Sequence, residues 1–314
     1  MFKFKFNILF FASLMANCIT YPNCPACGSS SIQRVLVAKD YTVSGKEFEI
    51  WECGKCTLRF TQHVPPAEEI GPYYQSESYI SHTDTRKGLV NRLYHVVRGI
   101  TLKSKQRLIE KVTGKKSGQL LDVGAGTGAF LHHMRKQGWL VEGLEPDHSA
   151  RTRAEQQYQL VLLPSDYLFK LEPASKDVIT LWHVLEHVHR LQDYMEQLKK
   201  LLKPGGRLII AVPNYTSGDA QQYGATWAAY DVPRHLYHFS PKAMKQLIQQ
   251  HGLQLKAIRP MWFDSYYVSM LSEKYKTGKQ SLVKGALAGA VSNGKALFNR
   301  ERCSSLIYII TTAV

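Results

Sequence analysis

An α/β fold with a doubly wound, mostly parallel sheet is the architecture that this 314-residue sequence predicts. Three observations support it: short apolar runs alternate with helical patterns from Gln119 onward, a glycine-rich turn follows the first run, and two CxxC pairs precede them. Strands and helices that alternate in this way form a sheet with helices on both faces. The cysteine pairs predict an N-terminal zinc ribbon, and a helical connector is expected between the ribbon and the sheet.

The predicted strands are short and rich in Val, Ile and Leu, as buried parallel strands are. A later helix begins at Ser240-Pro241, because serine suits the N-cap and proline the first turn. Two further strands flank an insert at residues 264–302. In chain order the strands are QLLDVG, WLVEGLE, LVLLP, DVITLW, RLIIAVP, LQLKAIRPMWF and SSLIYIIT.

The chain is basic, with 40 Lys and Arg against 25 Asp and Glu and a formal charge of +15. This excess fits an anionic partner such as a nucleotide-bearing substrate, RNA or an acidic membrane surface. A basic surface that only keeps the protein in solution fits it equally well. The 44% hydrophobic content is ordinary for a folded globular protein.

Four of the six cysteines form two CxxC pairs, in CPACG and CGKC, which are typical of zinc knuckles. Four thiolates fill a tetrahedral shell and leave no position for water, so the zinc is predicted to be structural. A thioredoxin-like redox pair is the alternative, but it needs a single CxxC beside a βαβ unit. The predicted ligands are Cys24, Cys27, Cys53 and Cys56.

The N-terminal residues and the cysteines give conflicting indications of location. Reduced thiolates predict the cytoplasm, whereas two lysines and an apolar run from Ile8 to Ala16 resemble a secretory signal. That run is too short to cross a bilayer. Residues 1–20 are therefore interpreted as an extension, and our hypothesis is that synthesis begins at Met15. The expected location is the cytoplasm, with peripheral contact to a membrane left open.

A connector at residues 63–116 is predicted to follow a ribbon at 21–62 and to precede the main domain at 117–314. Its second part, Arg86 to Lys116, carries ten Lys and Arg and one acid, Glu110. Apolar residues recur there at helical spacing, which predicts a basic amphipathic helix. Such a helix usually packs on the next domain, and contact with a membrane or nucleic acid is the alternative.

Three glycines, Gly124, Gly126 and Gly128, stand where the first predicted strand of the main domain ends, in LLDVGAGTGAFL. Glycine lets the backbone approach a ligand beside the positive end of a helix. Glu145 ends the next strand, where a carboxylate can accept hydrogen bonds from both hydroxyls of a ribose. A glycine turn alone fits NAD or FAD, but GxGxG departs from the dinucleotide spacing GxGxxG.

In these residues the chain resembles the class I S-adenosylmethionine-dependent methyltransferases. Their first motif is similar to LDVGAGTG, and their ribose-binding acid to Glu145. The resemblance covers Gln119 to Thr311 and implies a Rossmann-like sheet of seven strands that ends in an antiparallel pair. It also implies S-adenosylmethionine as cofactor, bound by Asp122, the three glycines and Glu145, with Asp166 in PSDYL reading the adenine. Methyl transfer from a sulfonium needs positioning, plus a base if the nucleophile carries a proton.

The stretch WHVLEHVHR contains His183, Glu186 and His187 as HxxEH, the spacing of an inverted zinc-protease motif. A protease needs this motif on a continuous helix, and here it follows a strand, so we interpret the match as chance. KDVITLWHVLEHV resembles the same region of the ubiquinone-biosynthesis O-methyltransferases, which implies that Glu186 lies near the cofactor. Some of those relatives hold a divalent ion with an EH pair, which would make Glu186 and His187 Mg²⁺ ligands. Packing against the cofactor is the interpretation that we favour for both.

A second polar cluster, WAAYDVPRHLYHFS, follows the fifth strand of the main domain. Histidine is the natural proton acceptor near neutral pH, so His235 or His238 is predicted to be the catalytic base, with His183 third. One of the two could instead brace the loop through a backbone hydrogen bond. Arg234 is predicted to bind a phosphate or carboxylate.

The ribbon, the connector and the DVPRHLYHFS loop together resemble bacterial methyltransferases of surface-polysaccharide or natural-product assembly. This implies O- or C-methylation of a small-molecule or sugar-type acceptor, carried on a nucleotide or lipid. An rRNA or tRNA base methyltransferase is the alternative, since guanine-specific rRNA enzymes also pair a zinc ribbon with this fold, although the loop has few cations beyond Arg234. A cofactor-binding scaffold without catalysis is the third hypothesis. The insert at 264–302 is predicted to cover the acceptor side.

Overall fold

The computed structural model describes residues 18–75, 89–279 and 281–312. The apolar run Ile8 to Ala16 and the hypothetical start at Met15 lie outside these residues. So do the side chains of the first part of the predicted basic helix.

The N-terminal module is an antiparallel sheet of three short strands, with the CxxC pairs at its turns. The hairpin between the first two strands is closed at Asp40, whose carboxylate accepts hydrogen bonds from the backbone N–H groups of Thr42, Val43 and Ser44. These bonds satisfy the donors that a tight turn leaves without partners. The strands are β1 (Ile32–Lys39), β2 (Glu47–Cys53) and β3 (Arg59–Thr61).

The connector leads into helix α1, Leu89–Thr113, in the place where the sequence predicts a basic amphipathic helix. Its described C-terminal half buries Ile109, with Leu102 and Val112 packed around it, against one face of the main sheet. This is the usual way for an amphipathic helix to bury its apolar stripe.

The main domain contains a six-stranded sheet in the order β5-β4-β6-β7-β10-β9 within the described residues. The first four strands in space are parallel, and β10 runs antiparallel between β7 and β9. This confirms the predicted fold class and its antiparallel end. The strands are β4 (Gln119–Val123), β5 (Leu140–Leu144), β6 (Lys176–Trp182), β7 (Leu202–Pro213), β9 (Leu253–Pro260) and β10 (Ser305–Thr312).

Helices connect the parallel strands, as a doubly wound sheet requires. The first begins directly after Gly128, and α6 begins at Pro241 with Ser240 as its N-cap, as the sequence predicts. These helices are α2 (Ala129–Lys136), α3 (His148–Tyr158), α4 (Leu191–Leu201), α5 (Gly218–Tyr223) and α6 (Pro241–Gln250).

The predicted strand LVLLP does not extend the sheet beyond a single parallel bridge between Leu144 and Leu163. Pro164 follows at once, and residues 165–170 turn into a 3-10 helix. Because proline has no N–H to donate, the ladder cannot continue past it. The seventh strand of the sheet is thereby reduced to this bridge.

The N-terminal module and the main domain share one hydrophobic core. Strand β8, Tyr237–His238, lies in the segment WAAYDVPRHLYHFS, residues 227–240, which we call the acceptor loop. It pairs with β3, so the module's sheet has the order β1-β2-β3-β8. Leu58 and Phe60 of the module belong to the same buried cluster as Leu236 and Phe239 of the main domain.

The insert between β9 and β10 forms two helices, α7 (Asp264–Thr277) and α8 (Leu282–Phe298). They pack closely, because a Cβ at Gly285 would lie 2.6 Å from the Cα of Met270, and one at Gly289 would lie 2.8 Å from the Cα of Tyr266. Helix α7 also contacts the acceptor loop, where the Ser272 hydroxyl accepts a hydrogen bond from the Ala228 N–H at 2.8 Å.

Candidate active site

The glycine turn lies at the carboxyl end of β4, where the sheet meets α2. All three glycines have positive φ, between 54° and 77°, a region that other residues avoid. A Cβ at Gly124 would approach Val184 to 2.3 Å, so this position also excludes side chains on space alone. At Gly126 no atom lies within 4 Å of such a Cβ, so the apex of the turn borders open space.

Glu145 closes this turn from the end of β5. One carboxylate oxygen accepts a hydrogen bond from the Gly126 N–H at 2.7 Å, and the other from the Asp147 N–H at 3.0 Å. The side chain is buried, and this burial raises the pKa of Glu145 above its usual value. The carboxylate thus fixes the turn and keeps further lone pairs for a ligand.

A buried carboxyl and a lysine form the floor beside the turn. Asp122 accepts a hydrogen bond from the Thr180 hydroxyl at 2.5 Å, and burial raises the pKa of Asp122 to about 7. The Lys105 ammonium of α1 lies 4.1 Å from the centre of the Trp182 ring. Desolvation lowers the pKa of Lys105 to about 8, although Asp122 and Asp264 oppose this.

The two remaining acids predicted to bind the cofactor lie in contrasting surroundings. The side chain of Asp166 is 71% exposed and is 3.8 Å from Lys170. Glu186 is fully buried beyond the end of β6, and its backbone carbonyl accepts a hydrogen bond from the Leu236 N–H. Glu186 therefore ties the end of β6 to the acceptor loop.

His183 lies between two carboxylates, at a positive φ of 60°. Its Nε2 is 2.8 Å from Asp264 at the start of α7, and its Nδ1 is 3.3 Å from Glu186. Burial works against protonation, yet these two acids raise the pKa of His183 to about 10. The ring is therefore a cation at neutral pH, and a cation donates protons to neighbours and does not accept them.

His187 and His235 meet edge to face, with ring centres 4.5 Å apart. His187 Nδ1 is 3.0 Å from the Arg234 carbonyl, and His235 Nδ1 is 2.8 Å from the Ala229 carbonyl. A carbonyl only accepts, so each Nδ1 donates and each Nε2 carries the lone pair of the neutral ring. The Tyr74 hydroxyl is also 3.0 Å from His187 Nδ1, and the Asp231 carboxylate is 3.9 Å from His235 Nε2. Burial lowers the pKa of His187 to about 4, so this ring is neutral.

Glu186 completes a group of three with these rings. One ligand atom from each of Glu186, His187 and His235 lies within 4.8 Å of the others. Burial opposes ionisation of Glu186, but the charged His183 beside it lowers its pKa, so it is an anion. In the described part of the chain the carboxylate makes no well-directed hydrogen bond, and its nearest cationic partner is His183 Nδ1 at 3.3 Å. Two lone pairs on nitrogen and an anionic oxygen thus converge on one point.

His238 occupies a different place, within strand β8. Its Nε2 is 3.1 Å from the Thr61 hydroxyl of β3, and that hydroxyl also donates to the His235 carbonyl at 2.8 Å. Burial lowers the pKa of His238 well below its usual value. The ring therefore joins the N-terminal module to the acceptor loop.

The prediction that Arg234 binds a phosphate or carboxylate of the acceptor is wrong. Its side chain is 1% exposed, and it contacts Asp231 at 2.7 Å and Asp40 at 3.1 Å. It also donates to the Thr42 hydroxyl and to the Tyr73 carbonyl. Because its donors are occupied by partners within the chain, Arg234 binds the hairpin of the N-terminal module to the acceptor loop.

The four cysteines of the CxxC pairs converge at the other end of that module, with their sulfur atoms within 4.8 Å of one another. The Cys24 and Cys56 sulfurs are 3.5 Å apart and those of Cys27 and Cys53 3.6 Å, much longer than a disulfide bond. The arrangement has the size and donor set of a tetrahedral thiolate site.

Three residues that sequence reasoning did not select also belong to the site: Asp40, Lys105 and Asp264. Lys105 had a signal, since it interrupts the apolar stripe of α1 between Leu102 and Ile109. Asp40 and Asp264 had none, because their partners lie far away in the sequence. Across the described residues, no helix is long and apolar enough to cross a membrane.

The sheet order, the glycine turn and the acid at the end of β5 define a nucleotide-binding α/β protein of the methyltransferase class. A model of the methyltransferase domain matches residues 96–258, more than half of the chain, and the chain belongs to that family. It is an S-adenosylmethionine-dependent methyltransferase.

Similar proteins include ubiquinone biosynthesis O-methyltransferases. The Idiomarina loihiensis protein is 25% identical over 195 residues, which cover 57% of this chain and 78% of the relative. The Coxiella burnetii protein is 29% identical over 178 residues, covering 51% and 72%. A Galdieria sulphuraria structure, provisionally assigned as a sarcosine dimethylglycine methyltransferase, shares the fold with a TM-score of 0.50. It is 16% identical, over 76% of this chain and 89% of that one.

Proposed function

We propose that this chain transfers a methyl group to oxygen or carbon of a small-molecule or sugar-type acceptor, carried on a nucleotide or a lipid. The observation that supports this most is the convergence of Glu186, His187 and His235 beyond the end of β6, in the segment whose Val184 lies against Gly124 of the glycine turn. A buried cluster of this kind suits a compact acceptor with an acidic proton. The similarity to O-methyltransferases of ubiquinone biosynthesis favours oxygen as the methylated atom.

On the cofactor side, we assign Glu145 to the ribose hydroxyls, Asp166 to the adenine, and the glycine turn to the cofactor's backbone contacts. Open space at Gly126 supports the last assignment. Asp122 and Lys105 would lie at the amino-acid part of the cofactor, where a lysine can pair with a carboxylate. The bound cofactor supplies a methyl group on a sulfonium, which is a good leaving group.

On the acceptor side, His235 is the base that we favour. Its Nδ1 donates to the Ala229 carbonyl, so Nε2 is the atom that would accept the proton of an acceptor hydroxyl or carbon acid. The Asp231 carboxylate, 3.9 Å from Nε2, would stabilise the charged ring that results. His238 then has the bracing role, because Thr61 holds its ring between two strands. His183 fits a third role, in which its positive charge stabilises the Glu186 anion.

The same three residues also fit a divalent ion. Each histidine donates its Nδ1 proton to a backbone carbonyl, the outer contact that orients metal-binding imidazoles. Two imidazoles and one carboxylate suit zinc, iron or manganese better than Mg²⁺, which prefers oxygen ligands. An ion at this position would lower the pKa of a bound acceptor hydroxyl, and His235 would then be a ligand and not the base.

We further propose that Cys24, Cys27, Cys53 and Cys56 bind a structural zinc ion. Metal analysis of the purified chain separates the two sites. Cys27→Ser should remove zinc from the ribbon, whereas Glu186→Gln should leave that ion in place and remove a second ion if there is one. A chain without zinc, or zinc content unaffected by Cys27→Ser, would contradict the structural site.

The reaction is tested by following labelled methyl from S-adenosylmethionine into fractionated cell extract. We expect label in nucleotide-sugar, lipid or other small-molecule fractions, and at most about a hundredth of it with Glu145→Ala, which lacks the ribose contact. Label in RNA would favour the base methyltransferase. No transfer, with the cofactor still bound, would favour the scaffold.

The ion pairs of Arg234 weigh against RNA. Arg234, the cation of the acceptor loop, is occupied by Asp40 and Asp231, and a nucleic-acid surface needs free cations.

The division into a ribbon at 21–62, a connector at 63–116 and a methyltransferase domain at 117–314 stays our proposal for the chain's organisation. We also infer a cytoplasmic location, because the ribbon needs reduced thiolates.

A further inference from the structure

Helix α8 presents its large apolar side chains to solvent. Val283 is 71% exposed, Leu287 62%, Val291 54% and Phe298 96%. These residues follow one another at intervals of four or seven, so at 3.6 residues per turn they lie on one side of the helix. Ala286, Ala290 and Leu297 are exposed on the same side. We call this surface the α8 face.

The opposite side of α8 carries small and polar residues, and these are the buried ones. Gly285, Ala288, Gly289, Ser292 and Ala296 face α7 and the acceptor side. Helices in water usually have the reverse arrangement, with large apolar residues inside. Close contact through glycines four residues apart is the packing that helices use when their outer surfaces are in lipid.

Positive charge borders the α8 face. Lys284 and Lys295 are exposed and fall beside each other at one edge of it, about 20° apart at 3.6 residues per turn. The insert at 264–302 contains seven Lys and Arg and three acids. Each acid has a partner inside the chain: Asp264 contacts His183, Glu273 accepts a hydrogen bond from Tyr223, and Glu301 contacts Lys245. The insert therefore carries an excess of positive charge.

We propose that the α7–α8 insert docks on an anionic lipid surface, with the α8 face at the acyl boundary and its lysines among the headgroups. An interfacial helix has this combination of an apolar face and basic residues. A second copy of this chain is a poorer match, because each copy carries a net charge of +15 and the same basic edge. RNA offers no apolar surface for Leu287 and Phe298 to cover.

The inference concerns a surface outside the cofactor turn, and it does not depend on the identity of the acceptor. It has one consequence for the active site. Asp264, the first residue of α7, contacts His183, so an insert held at a membrane would bring the acceptor side of the enzyme close to that membrane.

Flotation of the purified full-length chain with vesicles tests the inference without cofactor or acceptor. We expect binding to mixed phosphatidylglycerol and phosphatidylcholine vesicles, and weaker binding to phosphatidylcholine alone or at high salt. Leu287→Glu, at the centre of the α8 face, should weaken binding by about tenfold or more, because it places a charge in the acyl boundary. Lys284→Glu with Lys295→Glu should weaken binding to the anionic vesicles only.

Val161→Glu is the matched control. Val161 is 74% exposed but lies in the loop before Pro164, outside the insert, so its variant should bind vesicles within about twofold of the original chain. Thermal unfolding and S-adenosylhomocysteine binding should be unchanged in both glutamate variants, which separates this test from the proposed function. The first residues of the sequence are also apolar and basic and can bind vesicles themselves. The result is therefore decided by the difference in binding between Leu287→Glu and Val161→Glu, which share those residues.

Two outcomes would overturn the inference. One is equal vesicle binding by the original chain and Leu287→Glu, or none by either. The other is a dimer in solution that Leu287→Glu converts to a monomer, which would mean that a second copy covers the α8 face.

Discussion

The two sides of the cleft are assembled in different ways. On the cofactor side, Glu145 holds the glycine turn through Gly126, a contact between residues 19 positions apart. On the acceptor side, Arg234 holds Asp40 across 194 positions, and His183 contacts the first residue of the insert. The glycine turn and Glu145 belong to a single strand–turn–helix–strand unit, although Lys105 of α1 and Thr180 of β6 reach Asp122 at its floor. The acceptor side needs three distant parts of the chain.

This difference implies that the two sides can be damaged separately. Contacts within a local unit persist while that unit is folded, whereas contacts between distant segments depend on the docking of the N-terminal module. A change at the module's interface should therefore spare cofactor binding. A change in the glycine turn should spare the module.

The largest effect is expected for Asp40→Asn. Burial opposes ionisation of Asp40, but hydrogen bonds from Ser44 and Thr42 hold its pKa well below the usual range, so the carboxylate is charged. Asparagine carries no charge, so this substitution leaves the buried Arg234 cation paired with Asp231 alone. We expect a decrease of about 3 kcal/mol in the free energy of unfolding, measured by denaturant titration.

Glu49→Gln is the control for this change, in the same module. Glu49 pairs with Arg34 at 2.7 Å and accepts a hydrogen bond from the Trp51 indole N–H at 2.9 Å, which the glutamine carbonyl can also accept. Because Arg34 is 59% exposed, the expected decrease is below about 1 kcal/mol. Binding of S-adenosylhomocysteine by Asp40→Asn should stay within about threefold of the original value at a temperature where the variant is folded. Equal destabilisation by the two variants would show that the buried pair has no special role.

Glu145→Gln should produce the converse result. The carboxylate has two backbone donors and, in our proposal, accepts from the ribose hydroxyls of the cofactor, whereas the amide replaces an acceptor by a donor. We expect about a 100-fold loss of S-adenosylhomocysteine affinity, or about 3 kcal/mol, by calorimetry.

Glu142→Gln is the control in the same strand, because Glu142, in the middle of β5, contacts Lys176 at the start of β6 and does not contact the glycine turn. It should leave affinity unchanged. Loss of affinity in both variants would point to damage of β5 as a whole.

The smallest effect concerns Lys105 and pH. Because the pKa of Lys105 is lowered to about 8, its positive charge is present below pH 8 and is lost above it. If Lys105 pairs with the cofactor carboxylate, S-adenosylhomocysteine affinity should fall by up to about tenfold as pH rises through 8, about 1.4 kcal/mol. Asp122, Asp264 and Glu145 lie nearby, and Asp122, with a pKa of about 7, titrates over a range that overlaps that of Lys105, so variants of Lys105 are needed to separate the two groups.

Two variants isolate the contribution of this lysine. Lys105→Met should bind more weakly at pH 7 and lose the pH dependence, whereas Lys105→Arg should keep its affinity to higher pH. The same pH profile in Lys105→Met and in the original chain would assign the titration to another group, such as the amine of the ligand.

The sequence predicts the fold around the glycine turn well because its signals are local. The order of strands and helices, the positions of the three glycines and the acid at the end of β5 all follow from patterns of a few residues each. The seventh strand was the exception. The sequence shows Pro164, but it does not show that LVLLP lies at the edge of the sheet, where the proline limits the pairing to one bridge.

The acceptor side could be predicted only in part. The sequence shows the histidines of this side as a cluster. It predicts a ligand contact for Arg234, since its partner Asp40 lies far away in the sequence, in the N-terminal module. Nothing in the local sequence of Asp264 indicates that it would contact His183. Contacts between distant segments depend on how the helices and strands pack together, and neither periodicity nor residue spacing predicts that packing.

The pairing of β3 with β8 constrains how such a protein can be shortened or recombined. A fragment that starts after the N-terminal module would lack β3, the strand that pairs with Tyr237 and His238. It would also expose the apolar surface that Leu58 and Phe60 bury. An open strand edge beside an apolar surface invites aggregation. Exchange of this module between related enzymes would therefore require a matching acceptor loop to move with it.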